Sequence, residues 1–505
     1  MRLQHNRRCL HLSLSNLCSN NLRSPLRNEG ASQFEESLQP TIQSLSHGVR
    51  AREISPAELT HDCLDRIEKL NPTLNAFITV LSDSALDQAR RAEQEIFRGK
   101  YRGPLHGIPI GLKDLFDTAG VRTTAASALF KDRVPREDAE VVRRLRCAGA
   151  VILGKQNLHE FAYGGSSMIS FYGEVHNPWD TSRIAGGSSG GSAASVATVM
   201  GYAAIGTDTA GSIRLPAAYC GVVGLKPTYG RVSARGVIPL SPSYDHVGPI
   251  ATSVCDVGLI LQVLASFDEG DPASTEAPIV DYTCNLDEPL PKLRIGIPRR
   301  FFFEELDGEV AAAVEKAIGF FRELGAEIRD GIELEVPTDR TLASAESYAY
   351  HKEFVANSPE LYQPATLARI KSGEKIPEEQ VRRAKEELTA SRQAISKVFD
   401  KIDLLLTATV PIPPASITEL KSNPESLRPT ELMMLRNTRP FNVWGIPAIS
   451  IPCGFTALGM PIGLQLAAAP WQMKLLLHAA HKYERATEWH EKTPSSSGAQ
   501  SAHTV

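Results

Sequence analysis

Hydrophobic positions along this chain alternate between two rhythms. Ser55-Pro56-Ala57-Glu58 has the form of a helical capping box with proline at the first helical position. Leu59, Cys63, Leu64, Ile67 and Leu70 then recur at helical spacing, and Asn71-Pro72 is expected to stop the run. A second helix is predicted over Ser84–Phe97 and a third over Ala139–Ala148. Short apolar runs predict buried strands at Ile108–Leu112, Val151–Leu153, Ala203–Gly206, Leu293–Ile297, Leu404–Leu406, Ile449–Ile451 and Ile462–Leu466. Val310–Leu324 reads as an amphipathic helix. Arg382–Lys397 reads as a charged helix with a solvated face. This alternation predicts an α/β fold, a central mixed β-sheet with helices on both faces.

Composition adds constraints but little chemistry. The 505 residues are 42% hydrophobic and 22% charged, with a formal net charge of −4. No basic face emerges, so direct nucleic-acid binding is not expected. The longest near-apolar run, Ala193–Gly206, is broken by Ser195 and Thr198 and falls short of the roughly 18 to 20 residues a membrane helix needs. No membrane span is expected. The 8 cysteines include no CxxC pair and no histidine cluster at metal spacing, which suits a reducing compartment and predicts no metal site.

The ends differ from the middle. Residues 1–28 carry Arg2, Arg7, Arg8, Arg23 and Arg27, four serines and no acid before Glu29. That bias resembles an organelle transit segment; a disordered extension or an upstream start codon is the alternative, and the protein is otherwise expected in the cytoplasm. The expected organisation is an extension over 1–37, one large domain over 38–488, and a disordered polar tail over 489–505.

The candidate chemistry lies between Gly186 and Pro227. One cluster reads Gly186-Gly187-Ser188-Ser189-Gly190-Gly191-Ser192; the second reads Gly206-Thr207-Asp208-Thr209-Ala210-Gly211-Ser212-Ile213-Arg214. Neither has the spacing of a nucleotide-phosphate loop. A serine attacking an amide needs a base and backbone N–H groups aimed at the developing oxyanion. Thr209, Ala210, Gly211 and Ser212 are candidates for that N–H run, since small residues leave the amides accessible. Ser212 also reads as a helix N-cap ahead of Ile213-Arg214. No GxSxG elbow with Asp and His partners is present.

GGSSGGS followed by GTDTAGSIRLPAAYCGVVGLKPT resembles the signature of the amidase signature family, and GIPIGLKD at Gly107–Asp114 resembles its lysine segment. PFNVWGIPAISIPCGF and GMPIGLQLAA are similar to its C-terminal motif, so the likeness spans roughly residues 40 to 485. The resemblance implies a single amidase-signature domain and a Ser-Ser-Lys triad: Ser212 as nucleophile, Ser188 on a cis peptide as bridge, and Lys113 as base. Ser189, Asp208 and Arg214 would hold the loop, and no cofactor is implied. Many relatives have glycine where this chain has Ala210, so alanine there is either strained at positive φ or narrows the acyl pocket.

Family members include free amidases acting on small carboxamides and the glutamine-hydrolysing subunit of a tRNA-dependent amidotransferase, which passes ammonia to its partners in the complex. Asp245-His246-Val247-Gly248-Pro249 and Glu346–His351 look more like the free amidases. The expected activity is therefore hydrolysis of a small-molecule carboxamide to carboxylate and ammonia through an acyl-enzyme, with a homodimer compatible. The alternatives are a non-catalytic scaffold and the glutamine-hydrolysing subunit. His246 reads as a structural histidine. Phe161–Tyr172 and Tyr348–Tyr362 are expected to build part of the substrate pocket, where their aromatic residues would suit an aryl or alkyl carboxamide, and a core role for them is equally compatible.

Overall fold

The computed structural model describes residues 40–494. The expected extension over 1–37, with its targeting-like composition, and the end of the tail lie outside the described residues. Among the described residues eleven strands form one mixed sheet. In chain order they are β1 (Phe77–Val80), β2 (Pro109–Lys113), β3 (Val151–Gln156), β4 (Ala203–Asp208), β5 (Val223–Lys226), β6 (His246–Ala251), β7 (Arg294–Ile297), β8 (Glu327–Asp330), β9 (Leu404–Ala408), β10 (Ala448–Phe455) and β11 (Pro461–Ala468). Their order across the sheet is β1-β3-β2-β4-β6-β5-β10-β11-β9-β7-β8.

Helices flank the sheet because its central strands are apolar on both sides. In β2, β3, β4, β5 and β6 every residue is buried. The helix Gly190–Ala197 packs on β2, β4 and β6, and Met473–Thr487 covers β10 and β11. Gly190–Ala197 is built from glycine, serine, alanine and valine, so its backbone sits close to the strands beneath it. β2 runs parallel to both β3 and β4, which brings their carboxyl ends to the same edge. Ligand sites form at such edges.

The predicted strands are all present, most of them longer than their apolar runs. β1, β5, β6 and β8 were not anticipated. Two of these carry glycine within four to six residues, and β6 also carries Pro249, so their apolar signal is diluted. The first long helix runs Pro56–Leu74 and passes through Pro72, correcting the expected stop at Asn71-Pro72. A proline in the last turn removes one intrahelical bond, and buried Leu74 with left-handed Asn75, whose N–H reaches Asn71 O at 2.8 Å, ends the helix later. The charged helix spans Glu378–Val398 and is not wholly a solvated face: Arg392 lies 4.1 Å over the Tyr229 ring and donates to Ser243 O at 2.7 Å. Trp489–Glu491 form one further turn, with Trp489 against Phe455, so packed structure continues past residue 488. Among the described residues no helix is long and apolar enough to cross a membrane.

Candidate active site

Lys113 is the last residue of β2 and is fully buried. Its Nζ lies 2.7 Å from Ser188 Oγ and 2.8 Å from Thr207 Oγ1, the latter carried by neighbouring β4. Burial lowers the Lys113 pKa from its ordinary 10.5 to about 7, against the opposing fields of Asp208 and Asp245. A lysine so placed is deprotonated in a large fraction of molecules at neutral pH and can accept a proton. Ser188 follows a cis Gly187–Ser188 peptide bond. A side chain at Gly187 would meet Ser167 Oγ at 2.6 Å and Ser167 N at 2.8 Å, so the turn requires glycine.

Ser212 lies on the loop after β4, only 4% exposed, and its carbonyl accepts from Ser189 N at 3.1 Å. Ser189 Oγ donates to Thr207 O at 3.3 Å, so the two glycine-serine clusters are tied to each other. Asp208 holds the loop. Its carboxylate accepts from Gly211 N at 2.7 Å, Ile213 N at 3.1 Å and Asn442 Nδ2 at 2.7 Å. Arg214 closes a bidentate pair with it, Nε to Oδ2 at 3.0 Å and Nη2 to Oδ1 at 2.9 Å, and also donates to Gln465 and Asn442. Burial opposes ionisation of Asp208, but Arg214 outweighs it and holds the carboxyl well below the usual range.

Two expectations change here. The Gly211 N–H, counted from sequence among the oxyanion donors, is committed to Asp208, because the carboxylate at the strand end sits under the loop it must brace. Ser212 is not a helix N-cap: the helix Arg214–Cys220 is preceded by Ile213, and the Asp208 carboxylate accepts from Ile213 N at 3.1 Å and Arg214 N at 3.4 Å at its start. Alanine at position 210 is unstrained, because positive φ falls on Gly211, at 136°, and not on Ala210. Ala210 O is held by Thr438 Oγ1 at 2.7 Å.

Ser212, Thr209 and Ala210 open onto a cleft of about 680 Å³, solvent included. Ala162 to Gly164 form one wall, consistent with the expected Phe161–Tyr172 region. The Tyr348–Tyr362 region contributes no wall, which corrects the pocket expectation there and leaves the core reading. His351 and Tyr362 instead pack with Phe161, at centroid distances of 4.5 and 5.5 Å, in a buried aromatic cluster. Arg340, Ala343 and Ser344, just upstream, face the cleft together with Arg428 and Arg439. Sequence reasoning missed these arginines and also Thr207, Asn442 and Thr438. The string Arg436-Asn437-Thr438-Arg439 directly before the recognised Pro440-Phe441-Asn442 was the available signal.

Beside the loop, Asp245 accepts from Thr209 Oγ1 at 2.5 Å, and burial raises its pKa to about 6. His246 is buried, with Nδ1 2.6 Å from Tyr244 O. Burial and Lys226 keep its ring neutral, so Nδ1–H donates to that carbonyl. Among the described residues no three His, Cys, Asp or Glu side chains group as metal ligands.

Known proteins resemble this chain over nearly its whole described length. The glutamyl-tRNA(Gln) amidotransferase A subunit of Geobacter sp. (strain M21) is 39% identical over 480 residues, 90% of this chain and 98% of the relative. The structure of 6-aminohexanoate cyclic dimer hydrolase with its substrate superposes with a TM-score of 0.82 at 30% identity, covering 90% of this chain and 98% of that one. The glutamyl-tRNA(Gln) amidotransferase A subunit of Thermotoga maritima superposes with a TM-score of 0.73 at 29% identity, covering 90% and 97%. The profile of the family described as Amidase matches residues 58–477, and with the relatives at this identity it shows that the chain belongs to the amidase signature family, hydrolases of carbon–nitrogen amide bonds.

Proposed function

We propose that the protein hydrolyses a carboxamide to carboxylate and ammonia with Ser212 as nucleophile. The observation that carries this reading is the buried Lys113 amine, 2.7 Å from Ser188 Oγ in the loop pair that holds Ser212. In the proposed cycle Ser212 Oγ attacks the amide carbon. Its proton passes to Ser188 Oγ as the Ser188 proton passes to Lys113 Nζ. The N–H groups of Thr209, Ala210 and Ser212 stabilise the oxyanion. The protons return to the leaving nitrogen, the C–N bond breaks, and water then cleaves the acyl ester by the same relay. Ser189, Asp208 and Arg214 position the loop and touch no reacting atom.

Two substrate settings follow from this chemistry. The curated relatives favour glutamine as the amide, with ammonia delivered to a partner subunit. They are amidotransferase A subunits, 38–40% identical over 98–99% of their length. A free amidase is favoured by the cleft, which offers no acidic side chain to a glutamine ammonium, and by the higher structural similarity to the cyclic dimer hydrolase. Ammonia release by the purified chain alone, from glutamine and from a panel of small amides, separates the settings. Release from a non-glutamine amide that disappears in Ser212→Ala supports the free amidase. Glutamine turnover only on adding a partner subunit supports the other. Equal release by mutant and wild type sinks the Ser212 assignment.

A further inference from the structure

The cleft beside Ser212 is lined by Arg340, Arg428 and Arg439 and by no Asp or Glu. These cations differ in how far they are already occupied. Arg439 donates through Nη1 to Pro337 O at 2.9 Å and through Nη2 to Asp339 O. Arg428 stands 3.6 Å from Glu431, but that buried carboxylate also pairs with Arg369 at 2.7 Å, so one negative charge serves two guanidinium groups. Arg340 is partly buried, and its side chain has no hydrogen bond and no ion pair among the described residues.

A half-buried guanidinium with like-charged neighbours and no acid is unfavourable as it stands, and an entering anion reverses the sign of that interaction. The fork of N–H donors on arginine matches a carboxylate. The neutral lining residues Leu240, Leu435 and Val443 supply an apolar wall for the carbon chain of a substrate. Burial and the neighbouring Arg439 and Arg428 lower the Arg340 pKa to about 10, which still leaves it charged at neutral pH.

We propose that Arg340 binds a carboxylate of the substrate, so that the preferred substrate is a half-amide of a dicarboxylic acid, with its amide at Ser212 and its carboxylate at Arg340. The proposal rests on the Ser212 reading above. An α-ammonium next to the carboxylate, as in glutamine, would face Arg428 and Arg439 without an acid to receive it. Plain half-amides therefore exceed glutamine as substrates of the isolated chain.

The test measures kcat/KM for succinamate, glutaramate and adipamate beside neutral alkyl amides of equal length and glutamine. A bidentate charge-assisted contact is worth about a hundredfold, so the best half-amide should exceed its neutral counterpart by about that factor. Arg340→Met should erase the preference and Arg340→Lys should restore part of it. A neutral amide turned over as well as the half-amide, or a preference that survives Arg340→Met, overturns the proposal. Binding of glutarate by calorimetry reads the same contact without turnover. Binding that is lost in Arg340→Met supports the proposal; binding unchanged by that variant, or absent from wild type, overturns it. Failure of the hydrolase reading shows separately, as absence of Ser212 labelling by a fluorophosphonate.

Discussion

Replacing Lys113 by methionine should abolish turnover and yet stabilise the protein at neutral pH. Burial lowers the lysine pKa from 10.5 to about 7, so the unfolded chain binds a proton that the folded chain binds only partly at pH 7. A folded-state pKa below the unfolded one means stability rises with pH between the two values and is reduced by a constant amount below the lower one. At 1.36 kcal/mol per pKa unit the penalty is about 4 kcal/mol at pH 7 and falls to about 2 kcal/mol at pH 9. Methionine is of similar length and carries no charge, so it removes this penalty. It also removes the hydrogen bonds to Ser188 and Thr207, worth about 1 kcal/mol each. The variant should therefore be about 2 kcal/mol more stable than wild type at pH 7, with the advantage vanishing near pH 9. Urea unfolding of both proteins at pH 6, 7, 8 and 9 measures this. A stability difference that does not change with pH would refute the depressed lysine and, with it, the proposed base. Wild-type kcat/KM should correspondingly rise with pH through about 7 and level off above 8, because the neutral amine is the acceptor.

Ser212→Ala should lose at least about 10⁴ in kcat while its thermal transition stays within a few degrees of wild type, checked by ammonia release and calorimetry. Asp208→Ala leaves Arg214 fully buried without its carboxylate and should cost about 3 to 5 kcal/mol in denaturant unfolding, with activity lost as the loop loosens. Gly211→Ala should be strongly destabilising and inactive: φ is 136°, and the new methyl would stand 2.1 Å from Thr438 Oγ1. Ala210→Gly, one residue earlier, should stay within about 1 kcal/mol of wild type, because Ala210 has no positive φ to relieve.

The local elements were legible wherever a single physical signal dominates. The Ser55 cap accepts from Ala57 N and Glu58 N as its capping sequence predicts, and continuous apolar runs became buried strands. Three separated motifs were enough to point to the family. β6 was missed because glycine and proline interrupt its apolar run, and the Pro56–Leu74 helix was cut short because a proline in a final turn is weaker punctuation than it looks.

Residue order alone carried the kind of chemistry available: an amine, two serines and a glycine-bounded loop, each in a recognisable string. How those groups work was set in three dimensions. Parallel pairing of β2 and β4 puts Lys113 beside Thr207 and Ser188, and full burial at that strand end moves the lysine pKa; neither follows from the residue type. Folding also turns the Gly211 amide toward Asp208 and away from the oxyanion role, and sends the aromatic residues His351 and Tyr362 into a core. It gathers Arg340, Arg428 and Arg439 from distant segments into one cleft without an acid among its lining residues. Charge and burial are properties of what surrounds a residue in space, and the chain order carries that information only through the fold.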